Sequence, residues 1–185
     1  YFLNFRGGSE KTTMYISSGL DKEIENLIGN SNNRFTISFR GTYEPLPKLT
    51  ISTDINYNNS NSEIGGAGQS LLDLSGKTIY PYASLVSENG DYQNLIKDYR
   101  TSYVENSIER GLLDWMYRPL EERELSVSKS NSSEIRLRGA ANYLVINSLN
   151  VEFNYQYHRQ MDLTNDHYQK ESYYVRNLVN RYTQS

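Results

Sequence analysis

The chain has 185 residues, carries 22 acidic against 19 basic side chains and has a formal net charge of -3. That balance argues against a general nucleic-acid binder, the absence of cysteine removes disulfide scaffolds, cysteine zinc sites and thiol chemistry, and no apolar run approaches the roughly 18 residues of a membrane-spanning helix. With 17 Tyr against 5 Phe and 1 Trp, abundant Asn and Ser and a mean hydropathy of -0.71, the composition points to β-structure with one wet and one apolar face.

The chain opens on Tyr1-Phe2-Leu3, already strand-like, with no initiator Met, basic segment or apolar signal core. The expectation is an interior segment of a longer protein. A first strand pair is predicted over Tyr1–Arg6 and Lys11–Ser18, joined by the glycine-led turn Gly7-Gly8-Ser9-Glu10. A longer link covers roughly 19–33. Phe35, Ile37, Phe39, Gly41 and Tyr43 then alternate with Thr36, Ser38, Arg40 and Thr42, the period of a half-buried strand. Glu44-Pro45-Leu46-Pro47-Lys48 breaks it, since two prolines cannot continue a ladder. Leu49, Ile51, Thr53, Ile55 and Tyr57 resume the apolar row.

Residues 59–131 form a connection too long for a structureless loop in a compact domain. Gly65-Gly66-Ala67-Gly68 lacks the Lys-Ser/Thr ending of a phosphate loop. Tyr92, Leu95, Ile96, Tyr99 and Tyr103 fall at helical spacing, with Asp91 as cap and Gly111 as stop, which predicts a short amphipathic helix. Aromatics stand beside Arg and Asp in Tyr80-Pro81-Tyr82 and in Leu113 to Pro119, a mixture that suits a small core, a protein interface or sugar stacking. The candidate ligand or partner contacts are Tyr82, Arg100, Trp115 and Tyr117.

The strand-pair design then recurs. Ile135, Leu137, Gly139, Ala141 and Tyr143 alternate with Arg136, Arg138, Ala140 and Asn142; after Ile146-Asn147-Ser148 come Leu149, Val151, Phe153, Tyr155 and Tyr157. From 161 onward a further link is expected. Strand pairs thus occupy about 1–18, 34–58 and 132–160, with short turns alternating with long links. That is the asymmetry of a transmembrane β-barrel with short periplasmic turns and long extracellular loops. Tyr43 and Tyr143 beside the turns, and Tyr57, Tyr155 and Tyr157 toward the loops, suggest aromatic bands around an aliphatic belt. Arg40, Asp54, Arg136, Arg138 and Glu152 on the other row would be costly in a dry core but suit a water-filled lumen. A soluble sheet with one solvated face alternates too, so a soluble carbohydrate-binding or adhesion module is the alternative.

Enzymatic chemistry finds no support. No G-x-S-x-G elbow occurs, His158 and His167 are lone polar histidines, and Glu121-Glu122 are adjacent without a second acid at glycosidase spacing. No catalytic residue, cofactor or metal is assigned.

Several segments resemble those of SusC/RagA-type TonB-linked (TonB-dependent) outer-membrane receptors. Gly7-Gly8-Ser9-Glu10-Lys11-Thr12-Thr13-Met14-Tyr15-Ile16-Ser17 is similar to their GGxEKTxYYxS hairpin, and Asn33-Arg34-Phe35-Thr36 to the strand opening that follows. Tyr80-Pro81-Tyr82-Ala83-Ser84-Leu85 with Glu88-Asn89-Gly90 resembles YPYAxLxxxNG. Asp98-Tyr99-Arg100 with Leu112 to Tyr117 resembles DYR…LLDWxY, and Ser172 to Gln184 resembles a YYxRNLINRYTQ loop. The likeness runs in order along nearly the whole chain. It implies an all-β fold: an antiparallel up-and-down meander of about six strands, part of a plugged barrel of about 22 strands. It further implies location in the cell outer membrane of Bacteroidota, in contact with its lipid, and nutrient uptake by transport of oligosaccharides or peptides. A SusD-like surface lipoprotein would be the partner, with TonB acting through regions outside these residues and no nucleic acid involved.

Overall fold

A computed structural model describes residues 1–24, 29–66, 72, 74 and 79–183. Ala67 and Gly68 of the glycine-rich run, part of the link expected at 19–33, and Gln184 lie outside the described residues. Six strands follow in order: β1 (Phe2–Ser9), β2 (Thr12–Ile24), β3 (Ser31–Leu46), β4 (Leu49–Gly65), β5 (Ser126–Ile146) and β6 (Leu149–Tyr168). Helices α1 (Thr101–Glu109) and α2 (Pro119–Leu125) lie between β4 and β5, and α3 (Tyr173–Tyr182) follows β6. The strands form one antiparallel meander in the order β1-β2-β3-β4-β5-β6, and the sheet does not close on itself. The all-β, six-strand reading holds.

The strands are longer than alternation alone predicts. β2 continues to Ile24 and β3 begins at Ser31, so most of the link expected over 19–33 is strand. β4 runs to Gly65 and β5 starts at Ser126, which trims the 59–131 connection at both ends. The added residues, such as Asn58, Asn59, Ser60 and Asn61, are polar on both faces. Ladder hydrogen bonds join backbones and need no apolar row, so alternation is silent there. The break at 44–48 reduces to Pro47 and Lys48, with Pro45 tolerated near the end of β3.

The helix expected to begin at Asp91 starts only at Thr101. Tyr92 and Leu95 instead sit in isolated bridges to Val86 and Tyr117, with Leu95 N–H donating to Tyr117 O at 2.8 Å. Gly111 does stop the helix. It adopts φ +82 and donates to Ile108 O at 2.9 Å, while Leu112 N–H returns to Ser107 O at 3.2 Å, the two bonds of a Schellman cap. α2 opens on Pro119 at its first turn, where the missing N–H costs nothing. α3 is capped by Ser172, whose Oγ accepts from Val175 N–H.

The chain divides into two compact units. The sheet unit comprises Tyr1–Asn26, Ser31–Ser62 and Ser130–Leu163; the loop unit comprises Leu27–Asn30, Glu63–Lys129 and Thr164–Ser185. Among the described residues every buried hydrophobic of the core cluster lies in the loop unit: Leu74, Leu95, Val104, Trp115, Tyr117 and Tyr173. The sheet unit contributes none.

Candidate functional site

Register fixes the two faces of the sheet. Residues directly opposite in an antiparallel pair share a face. Ile16 faces Phe39 and Phe5, and Leu20 faces Phe35, so β1, β2 and β3 carry one common apolar row. The Phe39 ring packs over Gly41, where a Cβ would come within 3.0 Å of it. Phe35 meets Tyr57 of β4 edge-on at 6.3 Å, which extends the row to the fourth strand. This face is open: Leu3 is 74% exposed, Phe153 67% and Ile51 39%.

The apolar row has a sharp limit. On β4 the outward positions read Leu49, Ile51, Thr53, Ile55, Tyr57 and then Asn59, Asn61 and Glu63. Asn131 Nδ2 donates to Asn61 Oδ1 at 2.6 Å on that same row. Tyr57, Tyr155 and Tyr157 therefore stand in mid-strand and not at strand ends as expected. From Leu49 to Tyr57 the strand rises about 26 Å, close to the apolar band of about 25 Å in outer-membrane barrels before tilt is counted.

The opposite face is a network of charges and amides. Arg34 pairs with Asp21 at 2.9 Å and Arg40 with Asp54 at 2.9 Å. Ser38 Oγ donates to Asn56 Oδ1 at 2.8 Å, and Asn56 in turn donates to Asp54. Glu134 accepts from Arg136 at 2.6 Å and lies 2.9 Å from His158 Nε2. Arg6 lies over the Tyr15 ring at 5.7 Å. Arg136, Arg138 and Glu152 line a concave hollow of about 680 Å³ with Arg40 and Asp54. These side chains keep access to water, which is what makes their charge tolerable.

The loop unit places the four predicted contact residues differently. Trp115 and Tyr117 are 6% and 3% exposed and belong to the core. Trp115 packs against Tyr99 at 4.6 Å and donates from Nε1 to Asn177 Oδ1 at 3.1 Å. Tyr117 meets Tyr173 edge-on at 5.2 Å. Their rings are packed in the core, as the core reading of this segment has it, although Tyr117 also lines a small cavity. Arg100 is exposed at the N-cap of α1. Tyr82 is fully exposed and has φ +63, the one non-glycine positive φ among the described residues. Ala83 N–H donates to Tyr80 O at 3.2 Å, so Tyr80-Pro81-Tyr82-Ala83 fits a type II turn with tyrosine where glycine or asparagine is usual.

The residues that organise this unit were not among the predicted ones. α3 turns polar side chains inward. Arg176 donates to Glu171 O at 2.7 Å, Asp114 O at 2.5 Å and Met116 O at 3.2 Å. Asn180 brackets the backbone of Leu113, accepting from its N–H at 2.8 Å and donating to its O at 2.7 Å. Glu122, 5% exposed, accepts from Tyr173 N–H at 2.6 Å and lies 3.5 Å from Arg176. Burial raises the Glu122 carboxyl above its ordinary range, against the Tyr173 hydrogen bond and Arg176, which lower it. Burial, and donation to Asp98 at 2.6 Å, push the Tyr173 hydroxyl far up. The sequence carried one signal for this hub: Tyr173, Arg176, Asn177 and Asn180 recur at helical spacing behind a Ser172 cap.

Compared with known proteins, the chain matches no family model and no curated protein.

Proposed function

We propose that this chain is a stretch of wall, with attached loop unit, from a SusC/RagA-type TonB-dependent receptor of the outer membrane. One observation carries the reading: a six-stranded sheet leaves a continuous apolar face uncovered while its other face is a solvated ion-pair network. Soluble proteins rarely expose so large an apolar surface; lipid would cover it. The belt's limit at Tyr57 and the motif resemblances of the loop unit support the same reading. The apolar side faces lipid, the polar side a wet lumen, and further strands pair with the free edges of β1 and β6. The loop unit takes part in recognition, with Tyr82 and Arg100 as its exposed anchors. The whole receptor imports oligosaccharides or peptides with a SusD-like lipoprotein, driven by TonB.

The test is fractionation of cells producing the tagged full-length protein, followed by affinity capture. The protein is expected in the outer membrane after a carbonate wash, migrating faster on gels before boiling than after it. A surface lipoprotein should co-purify, and uptake should stop when TonB is absent. Recovery in the soluble fraction would overturn the proposal.

A further inference from the structure

The two faces of the sheet unit divide its charges unequally. Among the described residues of its strands every acid stands on the polar row, from Asp21 and Glu23 on β2 to Glu152 and Asp162 on β6. The outward row of the same strands holds two charges, and both are cations: Lys22 on β2 and Arg159 on β6. Register sets Lys22 opposite Asn33, next to the Leu20–Phe35 pair, while Asp21 meets Arg34 on the other face. On β6, His158 reaches Glu134 of the polar face and Gln160 bonds Asp162, so alternation turns Arg159 outward.

Both cations are exposed, and neither makes a hydrogen bond or ion pair among the described residues. Each lies between apolar neighbours on its own row: Leu20 and Ile24 flank Lys22, and Tyr157 and Met161 flank Arg159. Each follows by eleven residues the short turn that opens its strand, which ends at Lys11 and at Ser148. Both therefore stand toward the strand ends away from the short turns, and the outward positions nearer those turns carry no charge. Lys22 also borders a hollow of about 720 Å³ with Leu20, Asn33, Phe35 and Asn59. Asp21 borders it too, but its carboxylate is held by Arg34 at 2.9 Å.

The pattern selects the occupant. A long cationic side chain set among apolar ones lays its stem along them and lifts its head into a polar layer. A free anion would pair with the cation but leave Leu20, Phe35 and Met161 uncovered. A lipid without net charge would cover those residues but leave the cation unpaired. A lipid with an anionic phosphate headgroup does both: its acyl chains cover the apolar flank and its phosphate meets the ammonium or guanidinium. Beside Lys22, the amides of Asn33 and Asn59 supply further donors.

We infer that the outward face binds anionic phosphate-bearing lipids through Lys22 and Arg159, and so favours such lipids in the one leaflet that meets the strand ends away from the short turns. This rests on the reading of that face as lipid-facing.

The tagged full-length protein is purified in a neutral detergent, and bound lipid is counted by native mass spectrometry after addition of dioleoylphosphatidic acid or dioleoylphosphatidylcholine. Phosphatidic acid is expected to bind at least tenfold more tightly. The double variant Lys22→Gln/Arg159→Gln should weaken its binding about fivefold at each site, the loss from one interfacial cation. The variant Lys22→Arg keeps the charge and should keep the binding. Equal binding of the two lipids, or unchanged binding of phosphatidic acid in the double glutamine variant, overturns the inference. Displacement of the lipid by equimolar inorganic phosphate overturns it too, since a free anion would then suffice. Recovery of the protein in the outer membrane without a preference for phosphatidic acid removes this inference alone, whereas recovery in the soluble fraction removes the membrane reading beneath it as well.

Discussion

Tyr82 combines two features that rarely coincide. A left-handed conformation costs a residue with a Cβ about 1–2 kcal/mol, and the ring recovers nothing through packing because it is fully exposed. Strain of this sort is often kept where a side chain has outside work. Tyr82→Gly is therefore expected to stabilise the loop unit by about 0.5–1 kcal/mol in denaturant titration and, under the proposed function, to weaken capture of the proposed lipoprotein partner. Stabilisation with undiminished capture would remove Tyr82 from the recognition surface. Glu122 makes a second residue-scale prediction. Its folded pKa is raised above the ordinary 4.5, so the folded state binds the extra proton. Its contribution is most favourable below 4.5 and is lost as pH rises through the raised value. Glu122→Gln should thus gain on wild type as pH goes from 4.5 to 7.5, read as the difference in unfolding midpoints. A difference that stays constant across that range would contradict the assignment.

At the scale of elements, the legible parts were those where packing sets the pattern. Four strands showed in the alternation of Phe35 to Tyr43, Leu49 to Tyr57, Ile135 to Tyr143 and Leu149 to Tyr157, because one face of each is apolar and the other polar. The strand extensions were illegible because Asn and Ser on both faces leave no period, while the backbone ladder runs on regardless. α3 was missed because two of its three buried residues, Arg176 and Asn180, are polar, which breaks the usual apolar stripe. Trp115 and Tyr117 were correctly singled out as unusual, but sequence cannot tell a ring that packs from a ring that binds. Arg176 fastens three backbone carbonyls from inside the loop unit, so Arg176→Met should cost that unit about 3 kcal/mol or more. Hydrogen exchange across 112–118 would register the loss; unchanged protection there would show that α3 is dispensable. Under the proposed membrane reading, adjacent residues of β4 would face different solvents. Ile51→Arg should cost about 2–4 kcal/mol near the bilayer midplane, and Ser52→Arg on the polar row much less, both measured by refolding into vesicles. Equal costs would deny the two-faced wall.

At the scale of the molecule, core and surface are divided unevenly. The loop unit buries aromatics, ion pairs and a fixed hydrogen-bond hub, while the sheet unit shows no buried apolar residue among those described. A soluble domain of this size gains its stability by burying such a face; here the face remains available to an apolar solvent. The claim can be tested residue by residue, because the chain has no cysteine of its own. Single cysteines are placed at each position from Ile51 to Tyr57 of the full-length protein in isolated outer membranes and treated with a membrane-impermeant maleimide. The account predicts labelling with period two: cysteines at 52, 54 and 56 react, and those at 51, 53, 55 and 57 are protected until the membrane is dissolved. Equal reactivity along the strand, or protection at 52, 54 and 56 with labelling at 51, 53 and 55, would contradict it.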